Sequence, residues 1–290
     1  MIIAIVGPTG VGKTALSIAL AKYYKAEIIS FDAMQVYEKM DIGTAKVTKI
    51  EMDGVKHHLL SYVDIDTNYS VYDYQKEARS LIDKLLKEKK NIIMVGGTGL
   101  YLKATLYDYR FNKEENTTNY DDLSIEELLN RISKYNYIPK DSNNKRRLIR
   151  ELVKLENNEE IDNNGDKLLY NAKIIGLTTD RKTLYDRINK RVDIMVEDGL
   201  VEEVSSLKDK FTTSKALKTA IGYKEFIPYF NSECSLEEVI QKIKQNSRHY
   251  AKRQYTFFNH QLPVTWYQSN FTDFNKTVNL VIDDIDKDDR

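Results

Sequence analysis

The stretch Ile2-Ile3-Ala4-Ile5-Val6 runs without a break into Gly7-Pro8-Thr9-Gly10-Val11-Gly12-Lys13-Thr14. The first five residues form a short apolar run, the pattern of a strand buried on both faces. The next eight match G-x-x-x-x-G-K-[ST] in full, and a helical pattern begins at Lys13. Strand, loop and helix in that order are the context in which this motif folds into a phosphate-binding loop. Glycines let successive N–H groups turn inward toward phosphate oxygens. The helix N-terminus adds a favourable dipole. Lys13 supplies a point charge for the terminal phosphates. The Thr14 hydroxyl suits Mg²⁺, which keeps most of its other ligands as water and phosphate oxygen. The loop specifies a di- or triphosphate and leaves the identity of the molecule carrying it open.

Outward from the loop, three more apolar runs read as buried parallel strands: Glu27 to Phe31, Asn91 to Val95 and Lys173 to Leu177. Helical patterns cover Lys13 to Tyr24, Tyr72 to Lys89, Gly99 to Leu106 and Arg181 to Lys210. This alternation predicts an α/β fold, a P-loop NTPase-like parallel sheet with right-handed crossovers. Residues 112–166 break the pattern. Asn112 to Asn119 reads as a linker, and Ser124 with Glu127 is an N-cap signature. Arg146 to Leu155 carries the apolar stripe Leu148, Leu152 and Leu155, and Asn157 to Asp166 reads as an acidic loop. The expected organisation is a core of residues 1–111 and 167–290 with a helical insertion over 112–166. Two further helices, Ser235 to Asn246 and Arg248 to Phe258, are expected near the C-terminus.

The third strand ends Val95-Gly96-Gly97-Thr98, without the acid that a P-loop ATPase places there to hold its metal. The acid follows the second strand instead, as Asp32. Ligands of open α/β sheets bind outside the carboxyl ends of the strands, so Asp32 and Thr98 are expected near the phosphates. The alternative for Asp32 is a helix cap or a surface carboxylate. Arg181, Arg187 and Arg191 recur just past a strand end, where guanidinium forks suit phosphate oxygens. Asp186 and Asp193 offer them ion pairs as an alternative.

The chain has 44 Lys+Arg and 44 Asp+Glu, and as a sum this zero argues against nucleic acid. The sum hides segregated blocks. Lys140 to Lys154 carries six basic residues against two acids, Lys242 to Arg253 carries five against none, and Glu156 to Asp166 carries five acids without a base. Basic faces of this kind, interleaved with His249, Tyr250 and Tyr255, suit a surface that tracks a backbone and stacks bases. The single cysteine, Cys234, excludes an internal disulfide framework and a cysteine-based zinc site. His57-His58 lacks a third ligand at metal spacing, and Trp266 reads as core packing. No apolar run reaches the roughly 18 residues of a membrane span, and Met1 to Val6 lacks the basic start of a signal peptide. A cytoplasmic monomer without membrane attachment is expected.

The stretches GPTGVGKT, SFDAMQVYEKMDIGTAK (Ser30 to Lys46), VGGTGLY (Val95 to Tyr101) and RHYAKRQ (Arg248 to Gln254), taken together, resemble the tRNA dimethylallyltransferases from Met1 to about Trp266. Phe257-Phe258 departs from the pattern, which has a Trp soon after the AKRQ motif. The resemblance implies transfer of a dimethylallyl group from dimethylallyl diphosphate to the N6 amine of the adenosine 3′-adjacent to the tRNA anticodon, with release of diphosphate. It implies that Gly7 to Thr14 (Gly7, Pro8, Thr9, Gly10, Val11, Gly12, Lys13, Thr14) and Arg181 hold the donor diphosphate, with Mg²⁺ on Thr14. Asp32 becomes the general base, with Thr98 and Arg187 as further catalytic residues. Ala33, Met34 and Gln35 line the adenine pocket with Asp32 and Thr98. Arg146, Arg147, Leu148, Ile149 and Arg150 match the tRNA-contacting stretch of the family's insertion, and Arg248, Lys252 and Arg253 form a second basic surface for the anticodon stem-loop.

Three rivals are open to a sequence of this kind. An adenylate isopentenyltransferase acting on free AMP, ADP or ATP shares the loop, the Asp and the reaction, but has no need of a basic insertion. A small-molecule P-loop kinase leaves the DAMQVY to DIGTAK stretch unexplained. A non-catalytic RNA-binding module has no use for an intact Lys13-Thr14 pair.

Overall fold

Five residues buried on both faces, Ile2–Val6, form β1 near the middle of a six-stranded sheet. The computed structural model describes residues 1–111, 120–158, 165 and 167–288. The other strands are β2 (Ala26–Ser30), β3 (His57–His58), β4 (Asn91–Val95), β5 (Ala172–Thr178) and β6 (Thr265–Gln268), in the spatial order β3-β2-β4-β1-β5-β6. Every pairing is parallel. The chain leaves β1 toward β2 on one side, returns through β4, and passes β1 to reach β5 on the other. That reversal opens the crevice between the carboxyl ends of β4 and β1, where open α/β sheets take their ligands.

The helices are α1 (Lys13–Tyr23), α2 (Lys49–Met52), α3 (Val71–Lys87), α4 (Gly99–Leu106), α5 (Ile125–Ser133), α6 (Lys145–Glu156), α7 (Arg181–Glu197), α8 (Leu200–Ser206), α9 (Lys215–Thr219), α10 (Ile227–Phe230), α11 (Leu236–Gln261) and α12 (Phe274–Asp288). One apolar cluster joins Ile3, Ile5, Leu16, Leu20, Ile175 and Ile188 between sheet and helices. A second gathers Val36, Tyr37 and Met40 with Leu200, Val204, Tyr223, Phe226 and Val239. Among the described residues no helix is long and apolar enough to cross a membrane.

Several expectations change. Among the described residues six strands stand where four were expected. β3 has two residues, too few for a periodic signal, and its His58 Nε2 lies 2.7 Å from Glu27 Oε2, which gives the histidine pair a structural role. β6 is an edge strand with only Tyr267 fully buried, so it lacks an apolar run, and its Trp266 packs on Tyr255 with ring centres 5.5 Å apart. The helix expected over Arg181 to Lys210 breaks at Gly199, whose φ of 102° lies in the left-handed region that only glycine adopts freely. The two expected C-terminal helices are one 26-residue helix, α11. Asn246, where the first of them was expected to end, continues the helix and donates its amide to Glu225 Oε1 at 2.6 Å.

The described chain divides into two compact units, Met1–Leu106 with Leu169–Arg290, and Tyr107–Leu168. In the smaller, Ser124 and Glu127 form the expected capping box of α5, and Asn144 caps α6. Its core is Leu128, Ile132, Leu148, Ile149 and Leu152. The expected linker Asn112 to Asn119 lies outside the described residues, as does the acidic loop apart from Asn157, Asn158 and Gly165.

Candidate active site

The loop Gly7–Thr14 turns through left-handed backbone at Gly7, Gly10 and Gly12. At two of these, any side chain would also collide. A Cβ on Gly7 (φ 135°) would lie 2.5 Å from the Leu177 carbonyl oxygen, and one on Gly12 (φ 97°) would lie 2.7 Å from the Phe274 ring. The loop is held from outside as well. Ser269 Oγ donates to the Val11 carbonyl at 2.8 Å, and Thr9 N–H donates to Gln254 Oε1 at 3.0 Å. Lys13 Nζ donates back to the Pro8 carbonyl at 2.8 Å, inside the curl that its own charge serves. Thr14 is exposed at the first turn of α1, and among the described residues its hydroxyl has no hydrogen-bond partner. The same residues contain no cluster of three His, Cys, Asp or Glu side chains able to hold a metal.

The carboxyl ends of β2 and β4 bring Asp32 and Thr98 together. Asp32 Oδ1 accepts from the N–H groups of Met34 at 3.0 Å and Gln35 at 3.4 Å, which closes a tight turn and orients the carboxylate. Oδ2 takes no part in that turn and faces Gly97, where a Cβ would come within 3.4 Å of it. Thr98 Oγ1 accepts from Ala33 N–H at 2.9 Å, and its side chain also hydrogen-bonds the Tyr250 hydroxyl. Gln254 Nε2 donates to the Gly97 carbonyl at 2.9 Å, and the Tyr250 hydroxyl donates to the same oxygen at 3.3 Å. Burial first, then the nearby Asp32, push the Tyr250 phenol well above its usual range, so it stays a donor at neutral pH.

Two of the three arginines reach the loop. Arg187 Nε donates to the Gly10 carbonyl at 2.8 Å, its guanidinium 3.8 Å from the centre of the Phe271 ring. Arg191 Nη1 donates to Thr9 Oγ1 at 2.8 Å. Arg181 lies over Tyr185 at 5.1 Å, and among the described residues no hydrogen bond joins it to the loop. Sequence reasoning left Arg191 unassigned, although its place four residues after Arg187 puts both on one face of α7. Gln254 carried no assignment, and Tyr250 was expected on a base-stacking surface rather than at the end of β4, although the two stand four apart within the RHYAKRQ stretch.

Burial, and then the like charge of Arg191, lower the Lys13 ammonium to about 7 against the partial support of Asp32. A lysine-resolved NMR titration of the ligand-free protein should therefore show one midpoint near 7. Arg191→Gln should raise that midpoint by removing the like charge, and Asp32→Asn should lower it by removing the supporting one. Lysines titrating uniformly near 10.4, the unperturbed value, would refute this picture.

The remaining sequence candidates sort by place. Ala33, Met34 and Gln35 follow Asp32 directly, but the Gln35 amide donates to the carbonyls of Thr44 at 3.1 Å and Ala45 at 3.3 Å and so braces its own loop. Arg248 Nη1 donates to Asn189 Oδ1 at 2.6 Å. Lys252 and Arg253 line an open groove along α11 with Phe257, His260 and Gln261. On α6, Arg146 and Arg150 are exposed, and Arg147 pairs with Glu151 at 3.1 Å. Leu148 and Ile149, expected as RNA contacts, are instead 0% and 5% exposed in the core of their unit, because the apolar stripe of α6 faces α5. The arginines beside them are the part of that stretch open to solvent.

A parallel sheet with a phosphate loop after its first strand, and a carboxylate after its second, defines a P-loop α/β protein. The family model for IPP transferases matches residues 35–261. The tRNA dimethylallyltransferase of Latilactobacillus sakei subsp. sakei is 45% identical over 286 residues, spanning 92% of this chain and 91% of its own. A crystal structure of the full-length tRNA isopentenylpyrophosphate transferase of Bacillus halodurans superposes with a TM-score of 0.78 at 40% identity, over 99% of this chain and 95% of that one. A eukaryotic dimethylallyltransferase acting on tRNA gives a TM-score of 0.73 at 26% identity, over 97% and 77% of the two chains. The chain belongs to the IPP transferase family.

Proposed function

We propose that this protein transfers a dimethylallyl group from dimethylallyl diphosphate to the N6 amine of the adenosine 3′-adjacent to the anticodon of tRNA, releasing diphosphate. One observation carries the reading beyond the family: the phosphate loop and an oriented carboxylate share one crevice, with the Oδ2 of Asp32 left outside its own turn. Lys13, the loop N–H groups, Arg187 and Arg191 take the diphosphate, whose negative charge grows as the bond to the prenyl carbon breaks. Thr14 fits Mg²⁺, which when bound neutralises part of that charge. The adenine lone pair is delocalised into the ring, so the amine must lose a proton as the new carbon–nitrogen bond forms. Asp32 accepts it. Thr98 hydrogen-bonds the incoming base or the donor, and Ala33 and Met34 border the base. No phosphoryl group moves, which agrees with the lack of an acid after β4.

Arg146, Arg147 and Arg150 on α6, with Arg248, Lys252 and Arg253 on α11, supply cations for the anticodon stem-loop. Anticodon-loop bases are unpaired, so turning the target adenine out of its stack costs little. In this reading the chain acts as a monomer in the cytoplasm. Arg146→Ala should weaken tRNA binding and reduce the slope of log affinity against log salt by about 0.7–0.9, the share of one phosphate contact. An unchanged slope would make Arg146 a solvated surface charge. The reaction itself is tested by offering labelled dimethylallyl diphosphate to a mixture of unmodified tRNA and AMP. Label should enter tRNA. Label entering AMP alone would assign the free-nucleotide reaction, and ATP-dependent phosphorylation without prenyl transfer would overturn the class.

A further inference from the structure

The residues that follow Asp32, up to Thr48, form a long excursion with almost no regular structure, since only Tyr37 makes a single bridge, to Val63. Its first half is fixed by apolar burial, because Val36, Tyr37 and Met40 all lie in the second core cluster. Its second half, Asp41 to Ala45, is exposed or half-buried and turns on Ala45 at a positive φ of 47°. Of this half only Ile42 packs against that cluster, so the backbone groups around it must find specific partners.

Ala45 N–H and Lys46 N–H bond back to the Ile42 and Asp41 carbonyls, Lys46 Nζ holds the Tyr37 carbonyl, and one side chain takes three N–H groups at the start of the stretch. The Glu203 carboxylate on α8 accepts three successive N–H groups, from Asp41 at 3.0 Å, Ile42 at 2.8 Å and Gly43 at 3.0 Å. It also accepts the Tyr223 hydroxyl at 2.6 Å. The fit is tight around it. A Cβ on Gly43 would lie 2.5 Å from the Tyr223 ring, and Gly222 approaches from behind with its own Cβ position 3.1 Å from the Gly43 carbonyl oxygen. Charge-assisted bonds to backbone N–H groups are the strong members of their kind. The residues immediately after the clamp reach the reactive side: Thr44 and Ala45 offer their carbonyls to the Gln35 amide, and Gln35 N–H in turn holds Asp32 Oδ1. Arg191 Nη2, whose Nη1 holds the phosphate loop, lies 3.5 Å from the same Ala45 carbonyl.

We propose that Glu203 is a positioning residue for the acceptor: its carboxylate clamps the 41–43 backbone and thereby fixes the Asp32–Gln35 turn against which the adenine is prenylated. The proposal rests on the function argued above. It assigns Glu203 to the acceptor side and leaves donor binding to the phosphate loop. Glu203→Gln removes the charge and half of the acceptor capacity while keeping the volume. Glu203→Gln should lower kcat for tRNA prenylation about 10²-fold, the scale of a small misplacement away from the chemistry. The dissociation constant for inorganic diphosphate should stay within about twofold, and hydrogen exchange at the Asp41–Gly43 amides should speed up. Tyr223→Phe should produce the same pattern with a smaller loss. Unchanged kcat and unchanged exchange in Glu203→Gln would overturn the proposal, and so would an equal loss of diphosphate affinity and turnover, which marks general disruption. If the wild-type protein prenylates nothing, the parent reading fails, and the exchange comparison still decides whether Glu203 holds the loop.

Discussion

Asp32→Ala should slow single-turnover prenyl transfer by about 10²–10⁴-fold, the range over which a positioned general base contributes, while tRNA affinity stays within a few-fold of wild type. The asymmetry follows from the two oxygens of the side chain. Oδ1 is committed to the Met34 and Gln35 N–H groups, and Oδ2 faces the crevice beside Gly97. The backbone turn loses acceptors in the alanine variant, so Asp32→Asn is the sharper companion: its amide oxygen still accepts from the turn and yet cannot take a proton. Both variants slow to a similar degree if the lost function is proton acceptance. Full activity in Asp32→Asn with a collapse in Asp32→Ala would make Asp32 a structural turn residue, and loss of tRNA binding with intact chemistry would make it a recognition residue.

Lys13→Met should lower kcat/KM for dimethylallyl diphosphate by about 10²–10³-fold, equivalent to ~2.7–4 kcal/mol, the scale of removing one preorganised group at the site of developing charge. Arg191 and Arg187 compensate only in part, because each spends one guanidinium N–H on the loop itself, at Thr9 Oγ1 and at the Gly10 carbonyl. Methionine fills the same channel, so loss of packing is small, although the Pro8 carbonyl loses its donor. The tRNA dissociation constant should be unchanged. A donor kcat/KM within about threefold of wild type would show that the loop N–H groups and the arginines hold the diphosphate without the lysine.

Features that depend on a local pattern were legible in the sequence. The phosphate loop, β1 and β4 stand at the residues expected, since each is a continuous apolar run or a complete motif. Asp32 and Thr98 meet because both follow strand ends, a rule that needs only the strands to be found. Features that depend on distant partners were not legible. Arg191 joins the site through Thr9, 182 positions away, and Gln254 through Thr9 and Gly97. Glu203 reads in isolation as one of two acids on a solvated helix face, and only the fold brings Asp41 to Gly43 against it. Leu148 and Ile149 show the converse. A motif match placed them on RNA, whereas the helical period of α6 places them in the core beside Leu152.

The proposed reaction sets a phosphate loop and a carboxylate base to one prenyl transfer to RNA. Its most direct test is nucleoside analysis by mass spectrometry of unmodified tRNA incubated with the purified protein, Mg²⁺ and dimethylallyl diphosphate. The predicted result is a single new nucleoside, adenosine carrying a five-carbon unsaturated group on N6, located next to the anticodon, formed with one diphosphate released per group transferred. Unmodified tRNA after prolonged incubation, with donor consumed on free adenine nucleotides or not at all, would contradict it.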